Sequence, residues 1–233
     1  MISKRRIQYY YDGHPTEEEL RGYSKLQADM VMYLIALLGW MFRAERWHIA
    51  LKLNIYTTAD PYEVPTIPDI AVYKGVVLDE RQEYYLESWR VDPPLSPPPA
   101  IVFEVVSGIS WISDLEEKPE VYARMGVNEY VYFDPRPSRP QRSPGLRVWR
   151  TVEGSAVELP ADESGRVWSE ELQSWLVPEG RWLRLYERNE QMRLTGEEAE
   201  RAAKEAMRAA RVRVPAPRRK PGVGPGSLPS VEG

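Results

Sequence analysis

Hydrophobic positions recur at helical spacing in the segment that follows Ser24. In KLQADMVMYLIALLGWMF, apolar side chains stand three or four residues apart, at Leu26, Met30, Leu34, Leu37, Leu38 and Met41. This spacing places them on one broad face of a helix, and serine is a preferred residue at the N-cap. The pattern predicts a helix that begins after Ser24 and breaks near Gly39.

Alternating or continuous apolar stretches predict the strands. Apolar and polar residues alternate over residues 47–55, as is typical of a half-buried strand. The segment IPDIAVY predicts a short strand that begins at Pro68. The segment AIVFEVVS, from Ala100, is apolar on both faces, as expected of a central strand covered by helices. EYVYFDP predicts a further strand that stops at Pro135.

The remaining elements complete an α/β order. Pro119 and Gly126 bracket PEVYARMG, and this placement of proline and glycine is typical of a short helix. The predicted core is therefore helix, strand, strand, strand, helix, strand, a mixed central sheet flanked by helices. Residues 74–99 interrupt it as an excursion that ends in a proline-dense stretch. LRVWRTV and RWLRLYE predict additional strands, and Thr195 opens a capping box before a helix that runs to about Arg211.

These elements predict three regions along the 233 residues. Residues 1–188 form the α/β domain, residues 189–213 a charged C-terminal helix, and residues 214–233 a basic tail rich in proline and glycine. The tail offers little apolar surface to offset the entropy of ordering, so we expect it to be disordered.

Charge is unevenly distributed along the chain. The net charge is −4, but residues 201–233 hold eight basic and two acidic side chains, so the first 200 residues carry −10. A basic segment on an acidic body is either an arm for phosphates or a solubilising tail.

Composition excludes several classes of protein. The chain has no cysteine, which rules out disulfides, thiolate metal sites and cysteine nucleophiles. The N-terminal residues include no apolar signal core, and the most apolar stretch, residues 30–42, is too short to span a bilayer. We therefore expect a soluble cytoplasmic protein with no membrane partner.

Two carboxylates occupy predicted strands that are otherwise apolar. Asp69 lies in IPDIAVY and Glu104 in AIVFEVVS, and an unpaired buried carboxylate costs several kcal/mol. A divalent cation between them would remove their repulsion, since Mg²⁺ binds one or two carboxylates together with water and phosphate oxygens. The alternative is that each carboxylate is a satisfied core residue, bonded to a tyrosine hydroxyl, an arginine or backbone amides.

The chain resembles a known family at these positions. Pro68-Asp69, Glu104 in FEVVS and the segment DLEEKPEVYARMGVNEYVYFDP are similar to the Uma-type family of bacterial proteins predicted to be restriction endonucleases, in the PD-(D/E)XK nuclease superfamily. The resemblance also covers YYYDGHP, WLRLYE and the helix that starts at LTGEE. Its most specific part is the set Asp114, Lys118, Tyr122, Gly126-Val127 and Glu129-Tyr130.

The resemblance implies a restriction endonuclease-like fold in which Asp69 and Glu104 bind the metal. It also implies a catalytic amine, and here the sequence departs from the superfamily. The usual lysine two residues after the second acid is replaced by Val106. In this family a lysine at the start of the next helix substitutes, which gives Lys118, and Lys52 on the neighbouring strand is a second source. For Asp114 we expect a capping role, with orientation of Lys118 as the alternative.

The function that this resemblance implies is metal-dependent hydrolysis of DNA phosphodiester bonds. Mg²⁺ or Mn²⁺ would be the cofactor, DNA the partner, and Asp69, Glu104 and Lys118 the catalytic residues. Two alternatives remain open. The first is a non-catalytic module that keeps the nuclease fold to bind nucleic acid or protein, which the displaced lysine favours. The second is a structural protein that forms a homodimer through the helix rich in alanine and arginine.

Overall fold

The computed structural model describes residues 24–45, 47–60, 62–106, 111–136 and 145–213. The N-terminal YYYDGHP and the tail predicted to be disordered lie outside these residues. Contacts divide the chain into two compact units, Met1–Gly196 and Glu197–Gly233.

Five helices and eleven strands make up the described residues. The helices are α1 Lys25–Met41, α2 Glu80–Tyr85, α3 Trp111–Glu116, α4 Lys118–Met125 and α5 Gly196–Arg213. The strands are β1 His48–Leu51, β2 Asn54–Tyr56, β3 Ile70–Tyr73, β4 Ser88–Arg90, β5 Ile101–Val105, β6 Glu129–Phe133, β7 Leu146–Val152, β8 Ser155–Glu158, β9 Val167–Ser169, β10 Ser174–Glu179 and β11 Trp182–Tyr186.

A six-stranded mixed sheet in the order β1-β3-β5-β6-β7-β8 forms the centre of the first unit. Strands β5 and β6 are parallel, and the other neighbours are antiparallel. Smaller sheets pair β2 with β4 and order β11-β10-β9. The predicted mixed α/β class is confirmed. The predicted core order is also confirmed once β2, the excursion over residues 74–99 that holds α2 and β4, and the short helix α3 are set aside.

Buried side chains cover both faces of the central sheet. On one face, α1 and the β9–β11 sheet pack against the inward side chains, with Leu34, Phe103 and Leu183 in one cluster. On the other face, α4 contributes Tyr122 to a second cluster that also contains Val102 of β5. We call it the cluster beneath α4. Because both faces are covered, β5 is buried along its whole length, as its apolar sequence predicts.

Helix α1 begins where the sequence predicts and ends later. The hydroxyl of Ser24 accepts a hydrogen bond from the Gln27 backbone amide at 3.2 Å, which confirms the predicted cap. The predicted break near Gly39 is wrong, because the helix continues to Met41. An exposed glycine costs a helix only about 1 kcal/mol, and the buried neighbours Leu37 and Leu38 hold this last turn against the core.

The single strand predicted over residues 47–55 is divided in two. Strand β1 ends at Leu51, and Lys52 has a left-handed backbone with φ of 47°. Strand β2 then leaves the central sheet and pairs in parallel with β4. Strand β3 begins at Ile70 rather than at Pro68, so Asp69 lies directly before the strand.

The short helix predicted between Pro119 and Gly126 is confirmed as α4. Proline lies in its first turn, and Gly126 ends it in the left-handed region with φ of 90°. Strands β6, β7 and β11 are also confirmed. Helix α3 and strands β8, β9 and β10 have no counterpart in the prediction. No helix in the described parts of the chain is both long and apolar enough to cross a membrane.

Candidate active site

Asp69 and Glu104 lie opposite each other on adjacent strands. Strands β3 and β5 pair Ala71 with Val102 and Ile70 with Phe103, so the same register one residue further places Asp69 opposite Glu104. Side chains alternate along a strand, and Ala71 and Val102 belong to the cluster beneath α4. Both carboxylates therefore share that face of the sheet. They are buried, with only 1% of Asp69 and 3% of Glu104 exposed.

The two acids are linked through the backbone of these strands. The Asp69 amide contacts Glu104 Oε2 at 3.4 Å, and the Val105 amide donates to Asp69 Oδ2 at 2.7 Å. The residue opposite Val105 in this register is Pro68, which has no N–H and lies outside β3. The Val105 carbonyl therefore receives no donor from Pro68, and the Val105 amide donates to the side chain of Asp69 instead. The Val105 carbonyl, on the same edge, accepts from Gln27 Nε2 of α1 at 2.7 Å.

Helix α4 supplies two donors to Glu104. Lys118 Nζ lies 2.8 Å and the Tyr122 hydroxyl 2.7 Å from the same oxygen, Oε1. The two residues are four apart and so project from one side of the helix. Lys118 Nζ also lies 2.6 Å from Asp114 Oδ1. The sequence predicts a capping role for Asp114, but the structure pairs it with Lys118, as the alternative prediction requires.

A second amine reaches the other acid. Lys52 Nζ lies 2.8 Å from Asp69 Oδ1, and the Lys52 amide donates to the Asp69 carbonyl at 3.2 Å. The Lys52 side chain is 34% exposed, whereas that of Lys118 is 16% exposed. The structure thus brings both candidate lysines to the acid pair. Val106, at the position of the usual lysine, is buried in the cluster beneath α4.

Burial controls the protonation of this site. Desolvation raises the pKa of Glu104 to about 7, and Asp69 and Asp114 add to that rise while Lys118 opposes it. Desolvation alone would lower the pKa of Lys118, but the Glu104 and Asp114 carboxylates outweigh it, so the Lys118 pKa is raised. Burial and the adjacent Glu104 also raise the pKa of Tyr122. The lysine is therefore a cation and the tyrosine a neutral donor near pH 7.

The site agrees in part with each of the two interpretations of the acids. A tyrosine hydroxyl bonds Glu104 and a backbone amide bonds Asp69, as the satisfied-carboxylate alternative requires, but the cationic partners are lysines rather than arginines. The sequence predicts no role for the hydroxyl of Tyr122 or the side-chain amide of Gln27. The only signal for Gln27 is a polar residue on the apolar side of α1, where it is buried.

The donor set fits a hard divalent cation of the magnesium type. Among the described residues, no group of three or more histidine, cysteine, aspartate or glutamate side chains could hold a metal ion. Mg²⁺, however, is commonly held by one or two carboxylates and completes its shell with water and phosphate oxygens. Asp69 and Glu104 provide that number of carboxylates, with oxygen as the donor atom. Three carboxylates and two amines also leave the cluster at −1 when all are ionised, a charge that favours a cation.

Fold and site together define an α/β protein with an acidic centre at the junction of two adjacent strands. The model of the Uma2 family, described as "Putative restriction endonuclease", matches residues 3–185. The match spans well over half of the chain, and the chain belongs to this family of nuclease-like proteins.

One solved structure similar to this chain is a "putative nuclease belonging to DUF820" from Anabaena variabilis ATCC 29413. It is 11% identical, and the match covers 64% of this chain and 75% of the other, with a TM-score of 0.43. No curated protein matches the chain.

Proposed function

We propose that this protein is a metal-dependent endonuclease that hydrolyses DNA phosphodiester bonds. The observation that carries the proposal is the convergence of two buried carboxylates, Asp69 and Glu104, with the amine of Lys118 at 2.8 Å from Glu104. Membership of a family described as restriction endonucleases supports it. Asp69 and Glu104 would hold Mg²⁺ or Mn²⁺.

Each residue has a role that follows from its contacts. A bound divalent ion would supply an activated water and would neutralise charge at the phosphate. Asp69 is fixed for that purpose by the Val105 amide, and Glu104 by Lys118 and Tyr122. The Lys118 ammonium would position that water or stabilise negative charge that develops on the phosphate. Lys52 offers a second, more exposed amine on the Asp69 side.

A plasmid cleavage assay tests the proposal directly. Supercoiled DNA is incubated with the protein and Mg²⁺ or Mn²⁺, and nicked and linear products are measured. We expect the wild type to cleave and a double variant, Asp69→Asn with Glu104→Gln, to lose activity by orders of magnitude. The matched control is Glu158→Gln, because Glu158 is an exposed carboxylate paired with Arg147 on the last strand of the sheet. Equal cleavage by the wild type and the double variant would contradict the proposal.

A non-catalytic nucleic-acid-binding module is the second candidate. It is favoured by Val106 at the usual lysine position and by the amines that already neutralise both acids. The two candidates differ in one measurement. A binding module would shift DNA in a gel at concentrations where it produces no nicked or linear plasmid with either metal.

A further inference from the structure

The two carboxylate oxygens of Glu104 have different surroundings. Oε1 receives two short contacts from α4, from the Tyr122 hydroxyl at 2.7 Å and Lys118 Nζ at 2.8 Å. A carboxylate oxygen offers about two acceptor positions, so these donors fill Oε1. Oε2 instead lies 3.4 Å from the Asp69 amide, at the long limit of a hydrogen bond. It is thus the oxygen that faces Asp69 and has capacity for a further partner.

Tyr122 is better fixed than the lysine that shares its oxygen. Its side chain is fully buried, and its ring lies 4.9 Å from that of Tyr130 in the cluster beneath α4. Lys118 is a longer side chain, partly exposed, and its ammonium is shared with Asp114. A tyrosine has two main side-chain torsions, and packing of the ring determines where its hydroxyl lies.

We infer that Tyr122 is a positioning residue: it anchors Oε1 of Glu104, so that Oε2 is presented towards Asp69 as the metal-binding oxygen. The inference rests on the proposed function, since it assigns a purpose to that same acid pair. Without the hydroxyl, the carboxylate can rotate about its terminal torsion, which is broad and roughly two-fold in glutamate. Residues that orient a metal ligand typically change metal affinity by 10- to 100-fold when they are replaced.

The chain offers a matched control for the test. Tyr130 is also buried, and its hydroxyl also makes a 2.7 Å hydrogen bond, but to the Asp114 backbone carbonyl rather than to Glu104. Tyr122→Phe and Tyr130→Phe therefore each remove one buried phenol hydrogen bond. A purely structural role predicts similar effects for both variants, and a positioning role predicts different ones.

The experiment measures metal binding apart from cleavage. Mn²⁺ affinity is determined by calorimetry, and the metal-dependent rise in melting temperature is followed in the same proteins. We expect Tyr122→Phe to weaken Mn²⁺ binding by at least about 10-fold and Tyr130→Phe to leave it within about two-fold. In a Glu104→Gln background, Tyr122→Phe should cause no additional loss, because the carboxylate that it orients is absent.

The outcomes separate this inference from the proposed function. Unchanged Mn²⁺ affinity in a folded Tyr122→Phe variant, or equal losses in the two tyrosine variants, would overturn the positioning role alone. A wild type that neither binds Mn²⁺ nor cleaves plasmid DNA would overturn both proposals. If Tyr122→Phe melts at a much lower temperature, the double variant with Glu104→Gln still decides between the roles. A positioning role predicts that Tyr122→Phe causes no further loss of Mn²⁺ affinity in that background, and a further loss equal to that of the single variant would overturn it.

Discussion

Lys118 Nζ lies 2.8 Å from Glu104 Oε1 and bridges the space between helix α4 and strand β5. The same amine lies 2.6 Å from Asp114, so two buried carboxylates share one ammonium. A buried ion pair contributes little net stability, but removal of one partner is costly because the other charge is left buried. The residues that we assign to chemistry are for this reason also coupled to the stability of the metal-free fold.

Replacement of Lys118 should show that coupling. We expect Lys118→Met to lower the free energy of unfolding by about 3–5 kcal/mol in EDTA at pH 8, because the amine shared by Glu104 and Asp114 is lost. Lys52→Met is the matched variant. Its amine is twice as exposed and Asp69 keeps the Val105 amide, so we expect a smaller loss, about 1–2 kcal/mol. Urea denaturation measures both, and equal losses would contradict the difference in burial.

The metal-free protein should lose stability as Glu104 ionises. Burial raises the pKa of Glu104 from 4.5 to about 7, so its contribution to stability is complete below pH 4.5 and is lost as the pH rises through 7. A difference of this size corresponds to about 3 kcal/mol. We expect Glu104→Gln, which stays neutral, to gain stability relative to the wild type across that range.

The comparison with Glu104→Gln is needed because His48 acts in the opposite direction. Desolvation lowers the pKa of His48 below 6.5, so its contribution is present above pH 6.5 and is lost as the pH falls. Subtraction of the variant from the wild type removes the His48 contribution. Denaturation curves in EDTA at pH 5, 6, 7 and 8 give the free energy of unfolding of each protein. If that free energy changed with pH in the same way in both proteins, the prediction would be wrong.

A buried carboxylate elsewhere provides a test of stability without chemistry. Glu129, which is 1% exposed, binds Arg150 of β7 at 2.8 Å and accepts from the Glu170 amide and the Ser169 hydroxyl. We expect Glu129→Ala to cost about 1–3 kcal/mol, because it leaves the Ser169 hydroxyl and the Glu170 amide without their acceptor, whereas Arg150 is partly exposed and can be hydrated. Glu158→Ala removes the partner of Arg147, which also lies on β7. Because that pair is at the surface, the loss should be at most about 1 kcal/mol.

Thermal melts compare those two variants. Cleavage per folded molecule should be unchanged in both, since neither carboxylate contacts the acid pair in the described structure. A large loss of activity in the folded Glu129→Ala protein at low temperature would show that the region around Glu129 takes part in the reaction.

The basic C-terminal segment should contribute to DNA affinity. Residues 201–233 carry eight basic and two acidic side chains, and each phosphate contact adds to the salt dependence of binding through counterion release. We expect deletion of residues 201–233 to weaken DNA binding and to reduce the slope of log affinity against log salt. Fluorescence anisotropy between 50 and 200 mM salt (about the range over which the effect is large) measures both. An unchanged slope would leave the segment with a solubilising role.

The sequence predicts best the elements whose burial follows a simple pattern. Strand β5 is apolar on both faces and α4 is bracketed by Pro119 and Gly126, and both occur as expected. Strand β8 is different, because its four residues are largely exposed and show no alternation of apolar side chains. Strand β1 ends at Leu51 because the next residue, Lys52, has a left-handed backbone that no periodicity encodes.

The candidate site shows the same division. Asp69 and Glu104 are prominent in the sequence because a charge in an apolar run requires a partner. The identity of those partners depends on tertiary packing. Gln27 contacts Val105 across 78 positions and Tyr122 contacts Glu104 across 18, and neither contact follows from local spacing. The register that places Asp69 opposite Glu104 becomes visible only when β3 and β5 are paired.

The left-handed backbone of Lys52 places two opposing demands on one position. This conformation costs a residue with a side chain about 1–2 kcal/mol, and glycine adopts it readily, whereas the ion pair with Asp69 requires a long amine. Relief of the backbone and loss of the ion pair are of similar size, about 1–2 kcal/mol each, so a laboratory selection for heat resistance alone would discriminate little between lysine and glycine at position 52. A selection that also required a working site would keep the lysine. The identity of the residue recovered there would show which of the two demands the protein has to satisfy.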